Sequence, residues 1–146
     1  MSDLGAETNT VSDSKSLESV KQRPIALVVD DEFDIREMLS EALKTYGFDI
    51  LLAADGEEAW KLFQKNDPHI IISDIYMPKK NGLMLLKQIK ETAPRRTVIL
   101  MTGYQHYRQL IETEAYPPDG FLNKPFRLDD LYAMITETIV NASYRA

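Results

Sequence analysis

The sequence has no cysteine, a single tryptophan and two histidines among its 146 residues. Without cysteine there is no disulfide framework, no thiolate metal site and no cysteine nucleophile, and a reducing compartment fits. Basic residues are outnumbered, 17 Lys and Arg against 23 Asp and Glu. The formal net charge of -6 argues against nucleic-acid binding, which usually leaves a basic footprint. Long apolar runs are also missing. The longest, such as Ile25–Val29 and 70–72, have the length of a strand, not of a bilayer span. The opening MSDLGAETNT has neither a basic nor an apolar stretch, so it does not read as a secretory signal. Together these absences point to the cytoplasm and to no membrane anchor.

What is present suits one domain, with an apolar share of 44% and enough length to build a core without staples. Residues 1–23 are rich in Ser, Thr, Asp and Glu without periodicity and read as a flexible tail. From residue 24 to 144 the pattern alternates. Ile25–Val29 is a continuous apolar run, as expected of a strand buried on both faces. Ile35, Met38, Leu39, Ala42, Leu43 and Tyr46 then recur at helical spacing, with Asp34 near the start and Gly47 as the stop. Further strands are expected at 48–53, 70–73, 97–101 and Gly120–Asn123. Further helices are expected at Gly56–Asn66, 83–92, 105–115 and 128–141. The last should turn Leu131, Met134, Ile135 and Ile139 inward. Five strands alternating with five helices predict an α/β fold, a doubly wound parallel sheet covered on both faces.

The polar residues of interest fall at one topological place. Asp30 and Asp31 follow the first strand, Asp74 the third, Thr102 the fourth and Lys124 the fifth. In a doubly wound sheet, ligands bind at the carboxyl ends of the strands. Three carboxylates converging there would repel one another and resist desolvation unless a cation joined them. The candidate donors are hard oxygens, which suits Mg²⁺. Lys124 offers a compact cation to a phosphate oxygen, and Thr102 offers a hydroxyl donor. Asp74 has the central position, with the metal to one side and Lys124 to the other, and can attack phosphorus to give an aspartyl phosphate. Each residue has a plainer reading in isolation. An Asp-Asp pair is usually a turn or helix cap, a threonine suits any strand, and a strand phenylalanine such as Phe121 is most often core. The register of all four strand ends argues against these readings as a set.

Four motifs carry a resemblance. They are Val28-Val29-Asp30-Asp31-Glu32, Ser73-Asp74-Ile75-Tyr76-Met77-Pro78 with Gly82 following, Met101-Thr102-Gly103, and Phe121-Leu122-Asn123-Lys124-Pro125-Phe126. In this order and spacing they resemble the receiver domain of two-component response regulators. The resemblance covers residues 24–144 and implies a flavodoxin-like fold with strand order 2-1-3-4-5. It implies that Asp31, Asp74 and the backbone carbonyl of Tyr76 bind Mg²⁺, with Asp30 acting through a bound water. Asp74 is then the phosphoacceptor, taking its phosphoryl group from a phosphohistidine on a sensor histidine kinase or phosphotransfer protein. Thr102 and Phe121 become the switch pair. They reshape the face of the fourth helix, fifth strand and fifth helix for a homodimer or a downstream protein. The Lys124–Pro125 bond is expected to be cis. Such a domain is not an enzyme in the turnover sense, although it assists its own phosphorylation and dephosphorylation. Tyr76 and Tyr104, each two residues beyond a site residue, are expected to slow loss of the phosphoryl group.

Other functions fit less well. An aspartate-nucleophile phosphatase needs a carboxylate two residues after the nucleophile, where Tyr76 stands. Dinucleotide binding needs a glycine-rich turn where Asp30-Asp31-Glu32 stands. An interaction module that is never phosphorylated should have lost a ligand residue, and none is missing. Tyr104, Tyr107 and Tyr132 read equally as a partner face or as scattered aromatics. Trp60 is expected at the sheet edge or in solvent, and His69 and His106 receive no role. No output region is legible after the fifth helix, which leaves a stand-alone regulator and a receiver cut from a longer chain both open.

Overall fold

The computed structural model describes residues 23–103 and 116–145. The expected 1–23 tail (apart from Arg23), the expected helix at 105–115, and with it Tyr104, His106 and Tyr107, lie outside the described residues.

The elements alternate as the patterning requires: β1 (Ile25–Val29), α1 (Phe33–Thr45), β2 (Asp49–Ala53), α2 (Gly56–Asn66), β3 (Ile70–Asp74), α3 (Gly82–Thr92), β4 (Thr97–Thr102), β5 (Gly120–Asn123) and the C-terminal helix α4 (Leu128–Arg145). All strand pairs are parallel, in the order β2-β1-β3-β4-β5. β1 lies between β2 and β3, with Ala26 opposite both Ile50 and Ile70. The chain therefore reverses its direction of travel across the sheet between β1 and β3, and both strands end at that switch point.

Strand alternation divides the core in two. Leu27, Val29, Ile71 and Leu100 face Ala59 and Phe63 of α2 and Leu85, Leu86 and Ile89 of α3. Val28, Ile72, Ile99 and Met101 face Leu39 and Leu43 of α1 and Leu131 and Ile135 of α4. Strands buried on both sides are the reason their sequences are unbroken apolar runs rather than alternating ones. Truncating a side chain as enclosed as Ile71 costs about 2–5 kcal/mol.

Two expectations about packing change. Ile139 does not turn inward: it is 45% exposed, and Thr138 is buried in its place. The inward stripe of α4 runs Leu131, Ile135, Thr138, and Ile139 falls beside it. Thr138 can be buried because its hydroxyl donates to the Ile135 carbonyl at 3.0 Å. Trp60 does not stand free in solvent; it is half-buried. It stacks on buried Phe63 with ring centroids 5.6 Å apart and is packed against the α2–α3 core. Of the three tyrosines weighed as a partner face, Tyr132 is exposed and meets Tyr46 edge-on at 4.9 Å.

Candidate functional site

The site is assembled by the strand ends. β1 runs into Asp30, whose side chain is fully buried. One carboxylate oxygen, Oδ1, accepts the backbone N–H of Glu32 at 2.9 Å, which turns the chain out of the strand and into α1. The Arg36 guanidinium, one turn into α1, donates to the Asp30 carbonyl at 2.7 Å and fixes that turn. β3 ends on Asp74, also buried. The chain after it folds back at once, with the Gly82 N–H donating to the Ile75 carbonyl at 2.8 Å. Gly82 is required there. A Cβ would overlap the Asp74 carbonyl oxygen and come within 2.8 Å of the Ile75 Cα. Asn81 caps α3 through the Met84 N–H at 2.9 Å. On the far side, Lys124 follows β5, held by its N–H to the Thr102 carbonyl at 2.9 Å. The Lys124–Pro125 bond is cis, as expected.

These turns bring residues from four strands together. Lys124 Nζ donates to Asp30 Oδ2 at 2.7 Å and to Asp74 Oδ2 at 3.1 Å, with Glu32 Oε1 at 3.7 Å. Asp31 stands beside them, exposed, and one carboxylate oxygen from each of Asp30, Asp31 and Asp74 lies within 4.8 Å of the others. Above this cluster opens a cleft of about 510 Å³ lined by Asp31, Glu32, Asp74, Tyr76, Thr102, Gly103 and Lys124. Thr102 is buried at its wall and Tyr76 is exposed at its rim. Two expected site residues do not line the cleft: Asp30, buried beneath it on Lys124, and Phe121. Phe121 is half-buried against the α2–α3 core, one strand over from Leu100.

The electrostatics follow from this crowding. Burial raises the Asp74 carboxyl above its ordinary value, and the Asp30 carboxylate raises it further. Lys124 and the Tyr76 backbone N–H, both hydrogen-bonded to it, oppose that rise without cancelling it. Burial works against the charge of Lys124, but its hydrogen bond to Asp30 and the charges of Asp74 and Asp30 outweigh this and raise it. One lysine therefore does not balance the carboxylates around it, and the residual negative charge fits a further cation. The hard-oxygen donors and the absence of cysteine or histidine from the cluster fit Mg²⁺.

Five structural contributors carried no assigned role in the sequence. Glu32 lines the cleft and Arg36 fixes the β1–α1 turn. At the other end of the sheet, His69 Nδ1 accepts the Ile25 N–H at 3.0 Å, and the buried Lys90 pairs with Asp119 at 2.7 Å. Of these, only Glu32 had a sequence signal, its place beside the Asp pair.

The response regulator receiver domain family matches residues 26–136. The chain belongs to that family. As such it is a receiver domain of two-component response regulators, the module in which phosphorylation is received. Among curated proteins it is similar to the regulatory protein AtoC of Escherichia coli, at 34% identity over 77% of this chain and 24% of AtoC. It is also similar to the DNA-binding transcriptional regulator NtrC of Klebsiella pneumoniae, at 35% identity over 81% of this chain and 25% of NtrC. The receiver thus spans about a quarter of the length of these relatives. Among solved structures, the response regulator TrrA of Thermotoga maritima in complex with Mg²⁺ and BeF matches with a TM-score of 0.72 and 36% identity, over 79% of this chain and 98% of TrrA. The chemotaxis response regulator CheY4 of Vibrio cholerae matches with a TM-score of 0.73 and 29% identity, over 80% of this chain and 99% of CheY4. Among the described residues of this receiver no helix is long and apolar enough to cross a membrane.

Proposed function

We propose that Asp74 is the phosphoacceptor of this receiver and that its chemistry depends on Mg²⁺. The observation that carries this is Lys124 Nζ bridging Asp30 and Asp74 at the buried strand ends, with Asp31 completing an acidic cluster. Asp31, Asp74 and the Tyr76 carbonyl would hold the ion, with Asp30 reached through a bound water. When bound, the ion supplies positive charge to the oxygens of the phosphoryl group in transfer.

The chain's own residues do the rest. A carboxylate oxygen of Asp74 attacks the phosphorus of a partner's phosphohistidine. The P–N bond breaks and the imidazole leaves with the electron pair, to be protonated from solvent. Lys124 then pairs with one phosphoryl oxygen and Thr102 donates its hydroxyl to another. This movement of Thr102 frees space that Phe121 fills, and the face next to β5 and the C-terminal helix changes shape. The acceptor is phosphorylated once per cycle and is not an enzyme in the turnover sense. Tyr76, exposed at the rim, restricts the water that would hydrolyse the aspartyl phosphate.

The partners follow from the same chemistry. The donor is a sensor histidine kinase or a phosphotransfer protein. The reader is a second copy or a downstream protein at the switched face. A formal net charge of -6 leaves nucleic-acid contact to other parts of the proteins that carry such receivers. The reaction belongs in the cytoplasm. Acetyl phosphate with and without Mg²⁺, read by intact mass beside Asp74→Asn, tests the reading. A single phosphoryl gain that needs both Mg²⁺ and Asp74 is expected. A folded protein that gains nothing overturns the reading in favour of an unphosphorylated interaction module.

A further inference from the structure

The loop from Ile75 to Asn81 lies between the phosphoacceptor strand and α3, and its own residues do not suffice to hold it. Ile75 and Met77 are buried in the α2–α3 core, with exposed Tyr76 between them. Past Pro78 the loop has no apolar anchor. Instead it meets the first turns of α2. Lys79 takes a left-handed φ of 68°, which a non-glycine residue adopts at a cost. Its ammonium lies 3.6 Å from Asp55 Oδ2, the carboxylate that caps α2 through the Glu58 N–H. The Lys80 backbone rests directly on Gly56. A Cβ at Gly56 would overlap the Lys80 carbonyl oxygen, with the Lys80 Cβ at 2.7 Å and its carbonyl carbon at 2.8 Å. Since most of what it would strike is backbone, the loop itself would have to move. Above this contact the Lys80 ammonium lies over the Trp60 ring, 5.6 Å from its centroid, and it also hydrogen-bonds the Gln88 side chain of α3.

We propose that the first turns of α2 are a positioning element for the phosphoacceptor site, in which Gly56 and Trp60 seat Lys80 and thereby set the height of the 75–81 loop. The link to the site is short. Tyr76, four residues before Lys80, gives its N–H to the Asp74 carboxylate. In the reading above, which this inference rests on, its carbonyl is also a metal ligand. A loop raised by even a methyl group withdraws both groups from Asp74. The effect resembles that of outer-shell residues that orient ligands without touching a metal. Gly56, Trp60 and Lys80 touch none of the reacting groups, and none of the four motifs includes Gly56 or Trp60.

The test is an Mg²⁺ titration of the full, unphosphorylated chain, followed by backbone amide shifts and fitted for Kd. Thermal unfolding without Mg²⁺ is measured alongside to separate affinity from stability. Gly56→Ala is expected to weaken Mg²⁺ binding about tenfold. Lys80→Met, which keeps the stem and removes the cation from the Trp60 ring, is expected to weaken it about threefold, and Lys80→Arg to restore it. A folded Gly56→Ala protein with the wild-type Kd overturns the inference. If Gly56→Ala does not fold, the Lys80 pair decides, and a Lys80→Met protein with the wild-type Kd overturns it. A wild-type chain that binds no Mg²⁺ overturns both this inference and the reading beneath it, whereas wild-type binding with unaffected variants overturns this inference alone.

Discussion

Lys90 and Lys124 lie at opposite ends of the same sheet, and each is withdrawn from solvent among polar neighbours. Lys90 donates to the carbonyls of Pro94 at 3.2 Å and Arg96 at 2.7 Å and to Asp119 Oδ2 at 2.7 Å. An ammonium has three protons, so three acceptors complete it. Asp119 in turn takes the Val98 N–H at 2.9 Å. Charge and hydrogen bonds close locally, and nothing is left to recruit a ligand. Lys124 faces Asp30, Asp74 and Glu32, with Asp31 beside them. There the carboxylates exceed the cation, and the excess opens onto a cleft. Two lysines withdrawn from solvent, Lys90 buried and Lys124 half-buried, therefore do different work, and the number of carboxylates around each shows which. Lys90 joins α3 to the starts of β4 and β5. Lys124 leaves a negative imbalance that fits an ion and a phosphoryl group.

The largest expected break in this comparison is at the open end. Asp74→Asn should abolish the Mg²⁺-dependent phosphoryl gain seen by mass. Lys124→Met should slow phosphorylation about 10²–10³-fold, the scale of losing one preorganised charge at a reacting group. At the closed end, Lys90→Met should leave the half-buried Asp119 without its cation. It should lower stability by about 3–5 kcal/mol in urea unfolding, with phosphorylation intact wherever the protein is folded. Asp55→Ala tests a single cap between these extremes and should cost about 1 kcal/mol. The Glu58 N–H, followed by Lys79, holds the Asp55 carboxyl below its ordinary value of 3.8 despite some burial. Its stabilisation is therefore complete above that value and fades as the pH falls through the lower folded value. Wild type and Asp55→Ala should differ at neutral pH and converge in strong acid. The smallest effect has the opposite sign. Asp31→Asn should raise the thermal stability of the Mg²⁺-free protein by about 0.5 kcal/mol, because it relieves repulsion near the surface. It should also remove the stabilisation that added Mg²⁺ gives the wild type.

Much of this was legible in the chain itself. Strands buried on both faces must be continuous apolar runs, so β1, β3 and β4 announced themselves, and the polar residue after each run marked the edge of the sheet. The site was readable because its residues sit at ends, where a change from apolar to polar is abrupt. The Lys90–Asp119 clamp was not readable. Its partners are 29 residues apart, and neither stands where an apolar strand run ends in a polar residue. Gly56 was hidden for a related reason: a glycine opening a helix looks like an ordinary start, and only the loop lying across it reveals that no side chain fits. Ile139 misled because spacing alone made it a neighbour of the stripe. Thr138, with its hydroxyl satisfied by the backbone, could take the inward place.

The ion pair between Lys124 and Asp30 spans 94 residues of sequence. During synthesis the ribosome releases Asp30, Asp31 and Asp74 long before Lys124, and β5 must dock before the lysine can reach them. Until then the acidic groups repel one another with no internal counter-charge. A nascent or clipped chain that ends before β5 holds Asp74 but not the lysine that pairs with it. The acidic cluster thus gains its paired lysine only when the last strand joins the sheet.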